Sequence, residues 1–190
     1  YANRVGKGAL KAVKRFDAFI KKVSRNGKQN GKFTNNQIKG YCLKADIKHY
    51  FQEVNHEVLM QIIKKKITDE FTLALIRKIL NNANSKKQRE RERVILPSSN
   101  KGMPLGNLTS QFFGNVYLNE LDYFVKHILK AKYYIRYVDD FIIVHSSKEQ
   151  LQEWKVKIEF FLKDKLSLEL HQNKSRIISL ARGIDFVGFR

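Results

Sequence analysis

Apolar residues recur every three or four positions in five segments of the chain, and this spacing is typical of amphipathic helices. The first such segment stops at RNGKQNGK, because glycine and asparagine favour turns. Asn55, Asp69 and Ser147 are predicted N-caps, since their side-chain oxygens can accept hydrogen bonds from the free amides of a first helical turn. We predict helices at about 9–24, 55–67, 69–82, 109–129 and 147–165.

Other apolar stretches alternate with polar residues, which indicates strands. In GYCLKADIKHYF, at 40–51, Leu43, Ala45 and Ile47 share one face and Asp46 lies near the strand end. This order of elements predicts an α+β fold, in which helices back one face of an antiparallel sheet. The other predicted elements are a hairpin at 132–146, two short strands within SRIISLARGIDFVGF, and a loop or short hairpin at 84–107.

The chain is strongly basic, with 37 Lys and Arg against 18 Asp and Glu in 190 residues and a net charge of +19. Residues 1–32 hold ten basic residues and one acid, so we expect this segment to contact nucleic-acid phosphates. The mixed run KKQRERER fits a solvated surface instead. Since no apolar run is long enough to span a bilayer, we expect no membrane partner.

The length and the hydrophobic content of 43% fit one folded domain, or one domain with a small appendage. The lone Cys42 allows no internal disulfide, and the basic start lacks the apolar core of a signal peptide. We therefore expect a cytoplasmic protein. Because the chain begins without Met and ends on GIDFVGFR, we also expect a piece of a longer protein.

Two adjacent aspartates, Asp139 and Asp140, interrupt the predicted hairpin in YYIRYVDDFIIVHSS. A plain two-residue turn would favour Asp-Gly or Asn-Gly, and buried unpaired carboxylates are costly. If the strand of Asp46 lies beside this hairpin, three carboxylates converge and raise one another's pKa unless a cation lies among them. Mg²⁺ suits such ligands, and two ions about 3.5–4 Å apart promote in-line phosphoryl displacement. The alternative is an ordinary hairpin turn and a strand-end cap.

Several motifs, in sequence order, resemble those of reverse transcriptases. YVDD, between YYIR and FIIV, is similar to their Tyr-x-Asp-Asp box. LKADIKHYFQEV resembles the preceding aspartate motif, GMPLGNLTSQFFGNVYLNELD the glycine-bearing loop and helix, LELHQNKSRI the lysine motif, GIDFVGF the primer-grip hairpin, and YANRVGKG the end of a fingers motif. The resemblance implies a polymerase palm with a ferredoxin-like core at 41–190, part of the fingers with a basic helix at 1–40, and an absent thumb.

This resemblance implies an RNA-directed DNA polymerase, in which a primer 3′-OH attacks the α-phosphate of a dNTP. The implied partners are an RNA template, a DNA or RNA primer and dNTPs. The implied cofactors are two Mg²⁺ ions, for which Mn²⁺ can substitute, and the implied source is bacterial, archaeal or phage. A catalytically idle palm that only binds nucleic acid is an alternative from another functional class.

The resemblance also implies roles for individual residues. The implied metal ligands are Asp46, Asp139, Asp140 and the backbone carbonyl of Ile47. Lys174 matches a general acid near the leaving pyrophosphate, although a solvated lysine explains it nearly as well. Phe51 matches the aromatic steric gate that excludes a 2′-OH, with a core aromatic as the alternative and adjacent Tyr50 as a competitor. The other implied contacts are to the nucleotide (Arg4, Lys7, Leu105, Gly106, Gln111) and to nucleic acid (Lys11, Lys14, Arg15, Gly183, Phe186).

The segment PLGNLTSQ resembles one subgroup of the family. Gly102, Pro104 and Gly106 would let the backbone approach the nascent base pair, while Ser110 either caps the next helix or takes part in the site. Leu105 replaces the glutamine of most relatives, as in diversity-generating retroelements, which implies reduced fidelity and a small basic accessory protein. Group II intron-like, retron-like and CRISPR-linked enzymes are the alternatives.

Overall fold

The computed structural model describes residues 1–2, 5–24, 28–29, 32–33, 38–90, 100–104 and 107–189. Its α-helices are α1 (Ala9–Val23), α2 (Tyr50–Glu53), α3 (His56–Lys64), α4 (Glu70–Glu90), α5 (Leu108–Tyr123) and α6 (Lys148–Leu166). Its strands are β1 (Lys28–Gln29), β2 (Lys32–Phe33), β3 (Tyr41–Asp46), β4 (Tyr133–Tyr137), β5 (Asp140–His145) and β6 (Arg176–Ser179). A π-helical turn, Phe124–Ile128, follows α5, and a 3₁₀ turn, Leu180–Arg182, follows β6.

Four antiparallel strands form the main sheet in the order β4-β5-β3-β6. β3 pairs with β5 along its whole length, from Tyr41 opposite His145 to Asp46 opposite Asp140. The prediction of an antiparallel sheet with helices is therefore confirmed. The inner residues of β5, 141–144, are all buried, so both faces of this strand are covered rather than one. The separate β1-β2 pair was not predicted.

The chain divides into two compact units, of which the first contains residues 1–48, 122–160 and 169–190. Within it, α1 packs on β4 and β5. The helix buries Ala12, Phe16 and Phe19 in one cluster with strand residues such as Cys42 and Ile142. This apolar stripe fixes α1 on the sheet, because removing such side chains from water is favourable.

The second unit contains residues 49–121 and 161–168. Asn55 caps α3 as predicted, since its Oδ1 accepts hydrogen bonds from the amides of Glu57 at 2.9 Å and Val58 at 3.2 Å. Asp69 accepts a 2.7 Å bond from the Thr72 amide at the start of α4. These two of the three predicted caps are therefore confirmed, and so is Ser147 before α6, whose Oγ accepts a 3.0 Å bond from the Gln150 amide. No helix within the described ranges is long and apolar enough to cross a bilayer.

Three predicted element boundaries were wrong. α4 continues to Glu90, well into the segment predicted as a loop or hairpin, and residues 91–99 lie outside the described ranges. The helix predicted to reach 129 ends at Tyr123, where the π-helical turn begins. Phe51 lies in the short helix α2 rather than at a strand end. In each case the apolar spacing located the element but not its end.

Candidate carboxylate site

Three aspartates lie together at one end of the four-stranded sheet. Asp46, the last residue of β3, is directly opposite Asp140, the first residue of β5. Tyr137 also pairs with Asp140, so Val138 and Asp139 form the two-residue turn between β4 and β5. The structure thus brings together the three carboxylates that the sequence predicted to converge, although Asp140 begins a strand rather than lying in the turn.

Burial and repulsion both act on the charges of this cluster. Burial raises the pKa of Asp139 and of Asp140, and the negative charge of Asp46 raises both further. Lys174 Nζ donates a hydrogen bond to Asp46 Oδ2 at 3.0 Å, and this bond raises the pKa of Lys174. The site therefore favours positive charge, and Lys174 supplies part of it.

The chemistry of the donor set fits a divalent cation, because Mg²⁺ and Mn²⁺ prefer carboxylate oxygens and would offset the repulsion. Within the described residues, however, no three His, Cys, Asp or Glu side chains form a ready-made metal site. Ile47 bridges Leu170, but the hydrogen bonds beside this bridge join the Asp46 carbonyl to His171 N and Lys48 N to the Glu169 carbonyl. The Ile47 carbonyl takes no part in them, and its metal role stays a prediction.

Ser175 holds the backbone of Asp46, and sequence reasoning missed it. Its Oγ accepts a hydrogen bond from Asp46 N at 3.2 Å and donates one to the Asp46 carbonyl at 3.3 Å. The same carbonyl accepts a 2.8 Å bond from His171 N, whose own carbonyl accepts from Ser175 N. Ser175 is buried, at 3% exposure. A small hydroxyl residue beside the motif lysine was the signal available in the sequence.

The two candidate gate aromatics, Tyr50 and Phe51, differ in their surroundings within the second unit. Tyr50 is 2% exposed, and its Oη donates a 2.6 Å bond to the Gly114 carbonyl. Phe51 is only partly buried, and its ring packs at 5.1 Å from that of Tyr50. Tyr50 therefore has a structural role, and the gate role of Phe51 stays a prediction.

The glycine-bearing loop is tied to the segment around α2 and α3. Gly102 has a φ of +95°, its amide donates to the Val54 carbonyl at 2.8 Å, and its carbonyl lies 2.6 Å from His56 Nε2. Ser110 is the third residue of α5, and its Oγ donates to the Pro104 carbonyl at 2.6 Å. Ser110 thus anchors the loop and is not an N-cap. Gln111 is exposed, whereas Arg4, Leu105 and Gly106 lie outside the described residues.

The predicted phosphate-binding residues of the first unit lie on the surface. Lys11 and Lys14 are exposed on α1, as is Arg15, whose guanidinium lies 4.9 Å from the Phe19 ring centroid. Lys7 Nζ lies 5.0 Å from the Tyr1 ring centroid. α1 therefore has an exposed basic face, and its contact with nucleic-acid phosphates stays a prediction.

The predicted primer-grip hairpin is a tight turn in which Phe186 and Phe189 exchange two backbone hydrogen bonds. Gly183, before the turn, is exposed with a φ of +74°. The Phe186 side chain, however, is 2% exposed and packs edge-on against Phe16, with ring centroids 5.9 Å apart. Nucleic acid can therefore meet Phe186 only through its backbone, because the ring belongs to the core.

The family model described as reverse transcriptase (RNA-dependent DNA polymerase) matches residues 2–190. This chain belongs to the reverse transcriptase family. Members of the family generally use divalent metal ions such as Mg²⁺.

Among curated relatives of this reverse transcriptase chain, Protein YkfC of Escherichia coli is 24% identical over 182 residues, which cover 79% of the chain and 46% of YkfC. The group II intron-encoded protein LtrA of Lactococcus lactis is 26% identical over 212 residues, covering 78% of the chain and 34% of LtrA. The chain thus spans less than half the length of either relative.

Solved structures of telomerase share the fold. Apo telomerase from Candida tropicalis superposes with a TM-score of 0.66 at 18% identity, covering 96% of this chain and 35% of that one. Telomerase from Candida albicans, in complex with a fragment of telomeric RNA, gives a TM-score of 0.64 at 14% identity, covering 94% and 31%. These likenesses confirm the fold predicted from the sequence.

Proposed function

We propose that this chain catalyses RNA-directed DNA synthesis, in which a primer 3′-OH attacks the α-phosphate of a dNTP. The observation that carries the proposal is the pairing of Asp46 with Asp140 beside Asp139, in a chain that matches the reverse transcriptase family over residues 2–190. Divalent cations bound there would supply the positive charge that stabilises the pentavalent transition state.

The residues of the chain have separate tasks in this proposal. Asp46, Asp139 and Asp140 hold the cations, and the Ser175 hydroxyl fixes the backbone of Asp46. Lys174 is an ammonium group whose bond to Asp46 raises its pKa, and it can donate a proton to the leaving pyrophosphate. Phe51 excludes the ribose 2′-OH. The RNA template, the DNA or RNA primer and the dNTPs are the proposed partners.

Primer extension tests the proposal directly. The natural full-length protein is expected to extend oligo(dT) on poly(rA) with dTTP and Mg²⁺. DNA synthesis should stop when EDTA is added. Asp139→Ala should lower the rate by about a hundred- to a thousandfold, as for loss of a group acting on the transition state. Asp164→Ala removes an exposed carboxylate of α6 and should leave synthesis unchanged. Nucleic-acid binding without metal-dependent synthesis would support an idle palm instead.

We further propose the diversity-generating retroelement subtype, with an error-prone enzyme and a small basic accessory protein. Leu105 supports it, because leucine offers a nucleotide only apolar contact where most relatives have a hydrogen-bonding glutamine. Leu105→Gln should lower misincorporation on an RNA template, above all opposite adenine. As a control, Leu108→Gln makes the same change at an exposed position of α5 and should leave misincorporation unchanged. Equal error rates for Leu105→Gln and the parent would contradict the proposal.

The similarity to LtrA favours a second candidate, an intron-type enzyme. Both candidates use the same carboxylate site, so primer extension does not separate them. The DNA flanking the gene does: a template repeat with a matching variable repeat would support the retroelement proposal, and intron sequence would support the alternative.

A further inference from the structure

An almost buried arginine lies beside the turn that carries Asp139. Arg136, in β4, forms a bidentate pair of hydrogen bonds with Asp122. Its Nε donates to Oδ1 at 2.8 Å and its Nη2 to Oδ2 at 2.6 Å. Tyr134 Oη donates to Asp122 Oδ1 at 2.7 Å, which adds a third hydrogen bond to that carboxylate. The Arg136 side chain is 9% exposed. Such a bidentate pair fixes the plane of the guanidinium as well as its position.

The third donor of Arg136 reaches the turn itself. Nη1 donates a 2.9 Å hydrogen bond to the carbonyl of Val138, the residue between Tyr137 and Asp139. That carbonyl belongs to the peptide whose nitrogen is Asp139 N. The orientation of this peptide therefore depends on a guanidinium that Asp122 and Tyr134 hold in place.

Val138 needs such support because its backbone is strained. Its φ is +56°, in the left-handed region, where a β-branched residue is an outlier. Residues held there persist when surrounding contacts over-determine them. Glycine or asparagine would adopt this turn without help, yet the chain has valine. The Arg136 bond to the Val138 carbonyl is the contact that can offset the strain.

We infer that Arg136, held by Asp122 and Tyr134, is a positioning residue that fixes the Val138–Asp139 peptide and thereby sets the Asp139 carboxylate for cation binding. The inference rests on the proposed function, in which Asp139 is a ligand. Asp122 and Tyr134 contribute to this positioning through Arg136. An ion pair serving stability alone would need no third bond to the turn, and buried ion pairs are weak evidence of stabilisation.

The decisive variant is Arg136→Lys in the naturally expressed protein, because lysine keeps the charge but cannot form the planar fork. We expect Mn²⁺ affinity, measured by electron paramagnetic resonance without nucleic acid, to fall about 10- to 100-fold. In primer extension, kcat should fall while KM for dTTP changes less than about twofold. Amide hydrogen exchange in the 137–141 segment should become faster. Arg77→Lys, at an exposed position of α4, should change none of these.

A rescue experiment separates positioning from a merely structural role. Val138→Gly removes the strain, so the Arg136→Lys/Val138→Gly double variant should regain about tenfold in Mn²⁺ affinity over Arg136→Lys. If Arg136→Lys does not fold, Asp122→Asn takes its place; it keeps the shape of the carboxyl but weakens the grip on Arg136, and it should move the same readouts in the same direction.

The inference and the proposed function can fail separately. A folded Arg136→Lys variant with parental Mn²⁺ affinity and exchange rates would overturn the inference alone, as would a double variant that regains nothing. A parent protein that binds Mn²⁺ through Asp139, as judged by loss of binding in Asp139→Ala, but synthesises no DNA would overturn the proposed function alone.

Discussion

At the scale of single residues, Ser175 shows how one small side chain can fix a functional group. Its hydroxyl bonds both the amide and the carbonyl of Asp46, a residue 129 positions earlier in the chain. Because Ser175 is buried, water cannot replace these bonds when the hydroxyl is removed.

Ser175→Ala should lower the free energy of unfolding by about 1–3 kcal/mol, since it leaves the Asp46 amide without the acceptor that Ser175 supplies, while the Asp46 carbonyl keeps its bond from His171 N. Urea denaturation measures this. Ser175→Thr keeps the hydroxyl and should lower the free energy of unfolding by less. Ser146→Ala, at an exposed position, should leave it almost unchanged. Equal losses for the three variants would show that the Ser175 bonds are unimportant.

Tyr50 and Phe51 are adjacent but should respond to substitution in opposite ways. Tyr50→Phe leaves the Gly114 carbonyl without its buried donor and should cost about 1 kcal/mol of stability with no change in sugar selection. Phe51→Val should instead raise incorporation of UTP relative to dTTP by at least about tenfold. The ratio of kcat/KM for the two nucleotides measures selection. A changed ratio in Tyr50→Phe alone would assign the gate to Tyr50.

At the scale of elements, the β4–β5 hairpin places the negative charges of Asp139 and Asp140 where folding makes them less favourable than in the unfolded chain. Burial and the Asp46 charge raise the pKa of Asp139 and Asp140, whereas both carboxyls are fully hydrated in the unfolded chain. A raised pKa means that the folded state holds the proton more tightly. The stabilisation of the folded state that comes from this tighter proton binding is therefore present at low pH. It is lost as the pH rises through the raised pKa values of Asp139 and Asp140.

Asp140→Asn should consequently stabilise the metal-free protein, by more at pH 7 than near pH 4. The physical reason is that asparagine removes a charge that the parent must keep among two others. Urea denaturation in EDTA across this range, with exposed Asp164→Asn as the control, gives the difference at each pH. A difference that does not change with pH would contradict the cause assigned to the pKa shifts.

The glycine-bearing loop depends on backbone geometry at Gly102. A Cβ there would lie 3.3 Å from the Gln52 carbonyl oxygen, and the φ of +95° disfavours any other residue. Gly102→Ala should lower stability by about 1–3 kcal/mol. Gly188→Ala, with a φ of +80° and nothing within 4 Å of its Cβ, adds the strain without the crowding and should cost less. Equal losses would mean that crowding against Gln52 is absent.

At the scale of the whole molecule, the net charge of +19 predicts binding to nucleic acid that weakens steeply with salt. Each phosphate contact contributes about 0.7–0.9 to the slope of log affinity against log salt. Replacing Lys11 and Lys14 of α1 by Gln should therefore reduce the slope by about 1.4–1.8 if both contact phosphates. The same change at Lys163 and Lys165, exposed on α6, is the control. Equal effects of the two pairs would assign binding to overall charge.

Local sequence patterns located most elements because helical spacing, alternation and capping depend on neighbours in the chain. Asn55 and Asp69 cap helices as predicted, since a cap needs only the next few amides. The end of α4 was missed, because polar residues can continue a helix when no breaker stops it. Leu105, on which the fidelity hypothesis rests, lies outside the described ranges, so that hypothesis is left to experiment.

The sequence by itself was enough to identify the three candidate metal-binding aspartates, the strongly basic character and the family motifs, because these are properties of residue identity and spacing. Only the tertiary structure decided which groups meet them: Asp140 opposite Asp46, Ser175 against the Asp46 backbone, and Arg136 between Asp122 and the Val138 carbonyl. The physical reason is that these pairings and hydrogen bonds join segments distant in the chain, so they depend on how the whole chain packs.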